Sequence, residues 1–205
     1  MIDTVIFDIG NVLMTFDYPS YLRRLFSEPD TVDRVEAAIW GSGLWNRLDL
    51  GDPPEVLFPL MEAADPAAAP LVRQALEGIA GCMAPRDYAV PWVRELKERG
   101  LRVLYLSNYS RFVMETMPEA LAFLPWTDGG VFSCQEHLVK PDAAIYRVLL
   151  ERWGLEPARC VFLDDTQANV DTARALGIKA IRFASYPQAR AELDAMLEEN
   201  ANPWG

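Results

Sequence analysis

Four short stretches of this sequence carry side chains that could act together on an anionic substrate. Asp8 supplies a carboxylate, Ser107 a hydroxyl with Asn108 beside it, Lys140 a cation just before Pro141, and Asp164 and Asp165 an acidic pair. Two carboxylates placed near a third repel one another unless a proton or a cation sits between them. A hard divalent ion such as Mg2+ takes oxygen ligands and is often held by one or two protein carboxylates, so Asp8 with one of the pair makes a sensible cradle. Each piece alone has a bland reading: a strand-end aspartate caps a turn, Ser-Asn makes a turn, Lys-Pro-Asp starts a helix, and Asp-Asp caps one. The ordered set is far more specific than any member.

The elements that must position these groups are legible around them. Thr4 to Phe7 is an apolar run ending abruptly at Asp8, Arg102 to Leu106 ends at Ser107-Asn108, and Cys160 to Leu163 ends at Asp164-Asp165. Continuous β-branched and aromatic runs suit strands buried on both faces, as in a parallel sheet. A fourth run, Lys179 to Phe183, has no such polar end. Helical patterns fill the gaps: Val90 to Arg99 before Gly100, Ala143 to Trp153 before Gly154, and Gln167 to Leu176 before Gly177. A glycine just past the last periodic residue is a common helix stop. Alternating strands and helices predict an α/β fold, a Rossmann-like doubly wound parallel sheet, with ligands at the carboxyl ends of its strands. All three polar runs fall at such ends.

From about Thr15 to Pro85 the alternation breaks. Helix-like segments at Tyr18–Phe26, Thr31–Trp40, Pro54–Ala64 and Ala67–Cys82 predict an inserted, all-helical cap without a strand, lying over the strand ends. The expected division is a catalytic core at 1–15 and 86–205 and a small α-helical cap at 16–85. Between two cap helices, Gly43 to Asp49 reads as a glycine-flanked loop able to select a polar leaving group, or else as Trp45 packing the cap while Arg47 pairs with Asp49. Pro187 to Glu199 predicts a final helix, with Asn200 to Gly205 fraying beyond it.

Bulk properties narrow the class further. The net charge is −11 from 30 acidic against 19 basic residues, and no basic cluster stands out, which argues against nucleic acid and anionic membrane surfaces as partners. An anionic substrate therefore needs local positive charge from a cation, a lysine or backbone N–H groups. Cys82, Cys134 and Cys160 are an odd set without metal-ligand spacing, and no stretch resembles a secretory signal or a membrane span, so a soluble, cytoplasmic protein with reduced thiols is expected.

Taken together, Val5-Ile6-Phe7-Asp8-Ile9-Gly10-Asn11-Val12-Leu13, Leu104-Tyr105-Leu106-Ser107-Asn108, Val139-Lys140-Pro141-Asp142 with Ile145-Tyr146, and Val161-Phe162-Leu163-Asp164-Asp165 with Asn169 and Ala173 resemble the haloacid dehalogenase (HAD) superfamily, in particular its phosphatases with a small helical cap. The resemblance implies a magnesium-dependent phosphatase acting on a small phosphorylated metabolite. Asp8 matches the nucleophile that becomes an aspartyl-phosphate. Ser107 and Lys140 match groups that bind the transferring phosphoryl, with Ile9, Gly10 and Asn108 beside them. Asp8, the carbonyl of Gly10 and Asp165 match the metal ligands, and Asp164 supports them indirectly. A metal-free carbon–halogen hydrolase of the same superfamily and a phosphate-binding pseudoenzyme are the alternatives. The acidic pair argues against the first, and the joint presence of Asp8, Ser107, Lys140 and Asp165 against the second.

One position departs from the pattern. Family phosphatases usually carry a second aspartate two residues after the nucleophile as general acid and base; here that residue is Gly10. Such help is typically worth about 10²–10⁴-fold in rate. Three accounts follow: a good leaving group such as an anomeric sugar phosphate or an acyl phosphate, a proton supplied by a cap residue such as Asp17 or Asp49, or slow turnover. Resemblance to sugar-phosphate phosphatases with an Asp-x-Gly-Asn start favours the first. His137, the single histidine, reads as a loop surface residue near the crevice; Tyr109 and Arg111 are placed to line the pocket, and Trp40, Trp92, Trp126 and Trp153 to pack the core.

Overall fold

The structure, a computed structural model, describes residues 1–201. Its centre is a five-stranded, all-parallel sheet built from β1 (Thr4–Phe7), β4 (Arg102–Ser107), β5 (Gly129–Phe132), β6 (Cys160–Asp164) and β7 (Lys179–Arg182), in spatial order β5-β4-β1-β6-β7. β2 (Met14–Phe16) and β3 (Met83–Pro85) pair antiparallel as a separate ribbon. β1 is fully buried and flanked on both sides, with Phe7 opposite Tyr105 on β4 and Leu163 on β6. That register sets Asp8 level with Asp164 and one residue short of Ser107, so the polar ends of three strands emerge together.

In chain order the helices are α1 (Tyr18–Leu25), α2 (Pro29–Glu36), α3 (Leu44–Asp49), α4 (Pro54–Ala64), α5 (Ala69–Glu77), α6 (Ala89–Glu98), α7 (Arg111–Thr116), α8 (Ser133–Glu136), α9 (Ala143–Trp153), α10 (Gln167–Ala175) and α11 (Tyr186–Ala201). The helices of the parallel layer end where the glycines predict: Gly100, Gly154 and Gly177 all have positive φ, a conformation that glycine adopts without a Cβ penalty. Apolar residues on the two faces of the sheet form separate clusters. Ile6, Leu104, Tyr146 and Phe162 belong to one; Val5, Phe7, Trp92 and Val103 belong to the other. The second continues into the helical insert through Leu22, Ile39, Leu57 and Met61, so insert and sheet share apolar contacts.

Several expectations need correction. β2 and β3 are strands at the two ends of a stretch expected to hold none, and they tie its entry to its exit. β5 was hidden by Gly129-Gly130, a pair unfavourable to strands. Packing explains it: a Cβ on Gly129 would lie 2.3 Å from the Trp153 ring, and one on Gly130 2.2 Å from the Tyr105 carbonyl oxygen. The expected helix over Thr31–Trp40 begins earlier, at Pro29, and changes after Glu36 to a π-helical turn over Ala37–Gly41. The segment read as the loop Gly43 to Asp49 contains helix α3, entered through Gly43 at φ 74°. Trp126 is 44% exposed, with the Arg94 guanidinium 4.4 Å above its ring, instead of packing in the core. Trp92 is fully buried. α11 runs through Asn200 to Ala201, where fraying was expected; the rest of that expected tail, 202–205, lies outside the described residues. No helix among the described residues is long and apolar enough to cross a membrane.

Candidate active site

The carboxyl ends of β1, β4 and β6 converge on one buried ion cluster. The ammonium of Lys140 lies 2.8 Å from Asp8 Oδ1 and 2.7 Å from Asp164 Oδ2. Asp8 Oδ1 also accepts hydrogen bonds from the Ser107 hydroxyl at 2.9 Å and from the Ile9 N–H at 2.7 Å, whereas Asp8 Oδ2 accepts none among the described residues. One oxygen of this carboxylate is thus clamped and the other left free to react. Asp164 is saturated: Oδ1 accepts from the Thr166 N–H and the Asn169 amide, and Oδ2 from Lys140 and the same amide. Asp165 is less engaged, meeting the Asn11 amide and the Thr166 hydroxyl, each at 3.3 Å.

Asn108 holds the lysine in place. Its amide donates to the Lys140 carbonyl at 3.0 Å while its oxygen accepts the Lys140 N–H at 2.8 Å. This reciprocal pair commits the Asn108 side chain to the Lys140 backbone, and Asn108 also lines the crevice. Burial pushes the Asp8 carboxyl up to about 7, with Asp164 and Asp165 adding to the rise and Lys140 opposing it. Burial likewise pushes the Lys140 ammonium down, but Asp8 and Asp164 outweigh it and hold its pKa above the ordinary lysine value.

Oxygens of Asp8, Asp164 and Asp165 lie within 4.8 Å of one another, close enough to hold a metal ion. Fully ionised, these three carboxylates outweigh the single ammonium by two charges, the imbalance a divalent cation would neutralise. The donor set fits such an ion: all oxygen, with free lone pairs on Asp8 and Asp165, while Asp164 is occupied in holding Lys140.

Above the cluster lies a cavity of about 210 Å³. Asp8, Gly10, Asn11, Asn108, Asp165 and Thr166 form its floor; Met14, Phe16, Trp45, Tyr109 and Val113 form apolar walls, and Asp49 enters from α3. Ser107, Lys140 and Ile9 are not among the lining residues; their polar atoms point at Asp8 from beneath. Tyr109 lines the cavity as expected, whereas Arg111 is exposed and lines a separate hollow with Gly51 and Asp52. Trp45 serves both readings of its segment, stacking obliquely on Phe16 and Trp40 while facing the cavity. Arg47 pairs with Asp52 at 2.6 Å, not with Asp49. Asp17 caps α1 by accepting the Ser20 N–H, and lies outside the cavity lining.

Asn11 and Asn169 stand within the motifs, but the sequence assigns neither of them a role. Asn11, at φ 57°, reaches Asp165 with its amide and accepts the Phe16 N–H with its oxygen, coupling the acidic pair to β2. An asparagine directly after a glycine was the available signal, since asparagine tolerates the left-handed region. Asn169 clamps both oxygens of Asp164 at 3.0 Å from α10, one turn after the acidic pair.

The family model for haloacid dehalogenase-like hydrolases matches residues 2–177, and the chain belongs to that family. Phosphatase MT3486 of Mycobacterium tuberculosis is 30% identical over 203 residues, covering 92% of this chain and 90% of its own length. Acyl-CoA dehydrogenase family member 10 of mouse is 32% identical over 109 residues, where the chain spans a tenth of the relative's length. Among solved structures, a HAD-like hydrolase from Porphyromonas gingivalis superimposes with a TM-score of 0.74 at 21% identity, over 94% of this chain and 98% of the other. A HAD family enzyme from Bacteroides thetaiotaomicron, in complex with magnesium and inorganic phosphate, gives 0.70 at 16% identity over 88% and 93%. At these identities the structural likenesses establish the shared fold.

Proposed function

We propose that this chain is a magnesium-dependent phosphatase that hydrolyses a small phosphorylated metabolite, a sugar phosphate by preference, through an aspartyl-phosphate on Asp8. The observation that carries the reading is the Lys140-bridged carboxylate cluster beneath the cavity, in which Asp8 alone combines a clamped oxygen with a free one. The phosphatase similar to this chain over nine-tenths of its length supports the same class. A cytoplasmic setting accords with Cys82, Cys134 and Cys160 all being unpaired.

Asp8 Oδ2 attacks phosphorus in line with the departing oxygen; the O–P bond to Asp8 forms as the bond to the leaving group breaks. Ser107 and Lys140 fix the carboxylate through Oδ1, and their donors lie close enough to follow the phosphoryl oxygens. Asp8, Asp165 and the Gly10 carbonyl would hold the magnesium ion, whose charge offsets that of the phosphoryl group. Asp164 orients Lys140 from behind. Water then attacks the phosphorus, and Asp8 leaves with its electron pair.

The cavity narrows the leaving group. Its volume, about 210 Å³, lies below the roughly 300–1,000 Å³ typical of sites for drug-sized ligands. Its walls offer aromatic and aliphatic surface and, among the described residues, no arginine or lysine. A compact, uncharged leaving group fits; a second phosphate or a carboxylate would meet Asp49 without a counter-ion. The test is phosphate release from a panel of sugar monophosphates, sugar bisphosphates, nucleotides and acyl phosphates. Turnover of compact monophosphates that EDTA abolishes and magnesium restores, and that Asp8→Asn eliminates, is the expected result. Undiminished turnover by Asp8→Asn would sink the assignment.

A further inference from the structure

The missing aspartate at Gly10 leaves the chemistry without a proton donor on the floor of the site. Ser107 and Lys140 are both engaged with Asp8, and Asp164 is saturated. The roof holds one further carboxylate, Asp49, at the last position of α3. It is half-buried, lines the same cavity as Asp8, and makes no hydrogen bond or ion pair with its side chain among the described residues. Its neighbour Arg47 turns away to Asp52.

Asp49 is also held in register with the floor. The Ser133 hydroxyl donates to the Asp49 carbonyl at 2.6 Å and accepts the Tyr109 N–H at 2.9 Å, so one buried oxygen joins the turn after β4 to the roof. One residue on, the His137 Nδ1 meets the Leu50 carbonyl at 2.8 Å. Gly51 follows at φ +99°, and a Cβ there would lie 2.7 Å from the Cys134 carbonyl oxygen. Three successive insert residues are therefore seated on the segment Ser133 to His137, which leads directly to Lys140.

From this geometry we infer that Asp49 is the acid–base group of the reaction, delivered from the helical insert in place of the residue absent at Gly10. The inference rests on the phosphatase reading and supplies its proton transfers. As Asp8 bonds to phosphorus, the Asp49 carboxyl gives its proton to the leaving oxygen, which departs as an alcohol with the electron pair of the broken bond. The Asp49 carboxylate then takes a proton from the water whose oxygen attacks the aspartyl-phosphate; Asp8 is released, inorganic phosphate leaves, and Asp49 is again protonated. Burial, with the charge of Asp8 adding to it, pushes the Asp49 carboxyl up to about 7 against the pull of Lys140, near where a group that both gives and takes a proton works best.

The experiment compares wild type and Asp49→Asn on an alkyl phosphate, whose leaving group needs a proton, and on 4-nitrophenyl phosphate, whose leaving group does not. Asp49→Asn is expected to lose about 10²–10⁴-fold in kcat on the alkyl phosphate. On 4-nitrophenyl phosphate it should release one equivalent of nitrophenolate per site in a burst and then stall, with phosphate trapped on Asp8. Adding Gly10→Asp should restore alkyl-phosphate turnover, because a Cβ at Gly10 meets nothing within 4 Å. Unchanged kinetics for Asp49→Asn, or an equal loss on both substrates without a burst or rescue, overturns the inference while leaving Asp8 in place. A wild-type protein inert towards every phosphate ester would instead sink the phosphatase reading, and this inference with it.

Discussion

The floor and the roof of the cavity are built on opposite principles. On the floor, Asp164 accepts four hydrogen bonds, and a lysine in contact with Asp8 and Asp164 is 4% exposed. Such a cluster is rigid because each charge removed from water depends on its partners. The roof is apolar, contributed by Phe16, Trp45 and their neighbours, with one carboxylate that has no side-chain hydrogen bond or ion pair among the described residues. On the proposed function the difference is a division of labour: the sheet fixes the phosphoryl chemistry, and the insert supplies fit and the proton.

Breaking the floor should therefore damage stability and turnover together. Lys140→Met removes the cation between two buried carboxylates, Asp8 and Asp164. Removing one partner of such a pair typically costs about 3–5 kcal/mol, and loss of a donor at the reacting centre about 10²–10³-fold in kcat. Denaturant midpoints and phosphate release on the same preparation check both. Asp49→Asn, by contrast, should not lower stability near neutrality, because it breaks no side-chain hydrogen bond among the described residues and removes a carboxyl whose charged form burial disfavours. A lysine variant as stable as the parent would erase the distinction between the two regions.

The seam between them comes next in size. Ser133 is fully buried, and Ser133→Ala would strand the Tyr109 N–H and the Asp49 carbonyl, each losing its hydroxyl partner. A buried group left unsatisfied costs about 1–3 kcal/mol. The kinetic effect should follow the leaving group, falling more steeply for an alkyl phosphate than for 4-nitrophenyl phosphate, because Asp49 loses its register while Asp8 keeps its own. An equal effect on the two substrates would mean that the seam holds the fold but not the acid.

How far the sequence could be read divides along the same line. The strands that carry Asp8, Ser107 and Asp164 announce themselves as apolar runs with abrupt polar ends, and their convergence follows from parallel-sheet topology. Local signals of that kind do not report what a side chain meets across space. The glycines of β5 look like a loop until the Trp153 ring and the Tyr105 carbonyl are found where Cβ atoms would be. Nothing local in the sequence announces that the Asn108 amide pairs with the Lys140 backbone. Asp17 and Asp49 were equal candidates for the missing acid by composition. Only the tertiary arrangement separates a helix cap from a carboxylate facing Asp8.

A carboxylate at the opposite end of the sheet provides the control for this contrast. Asp128 accepts the Val103 N–H at 2.8 Å and pairs with Lys97 at 2.6 Å just before β5. Partial burial raises its pKa, but the Lys97 and Val103 hydrogen bonds outweigh that effect and hold it below the ordinary value of 3.8. Because the folded-state pKa is the lower one, its contribution to stability is present above the unfolded-state value and fades as pH falls through the folded one. Asp128→Asn should accordingly cost about 1 kcal/mol near neutrality, an amount limited by solvent exposure of the pair, and progressively less in acid. Turnover at saturating substrate should not move. A kcat change in Asp128→Asn comparable to that of Ser133→Ala would show that any loosening of the sheet reaches the site, and the separate roles of floor, seam and roof would collapse into general stability.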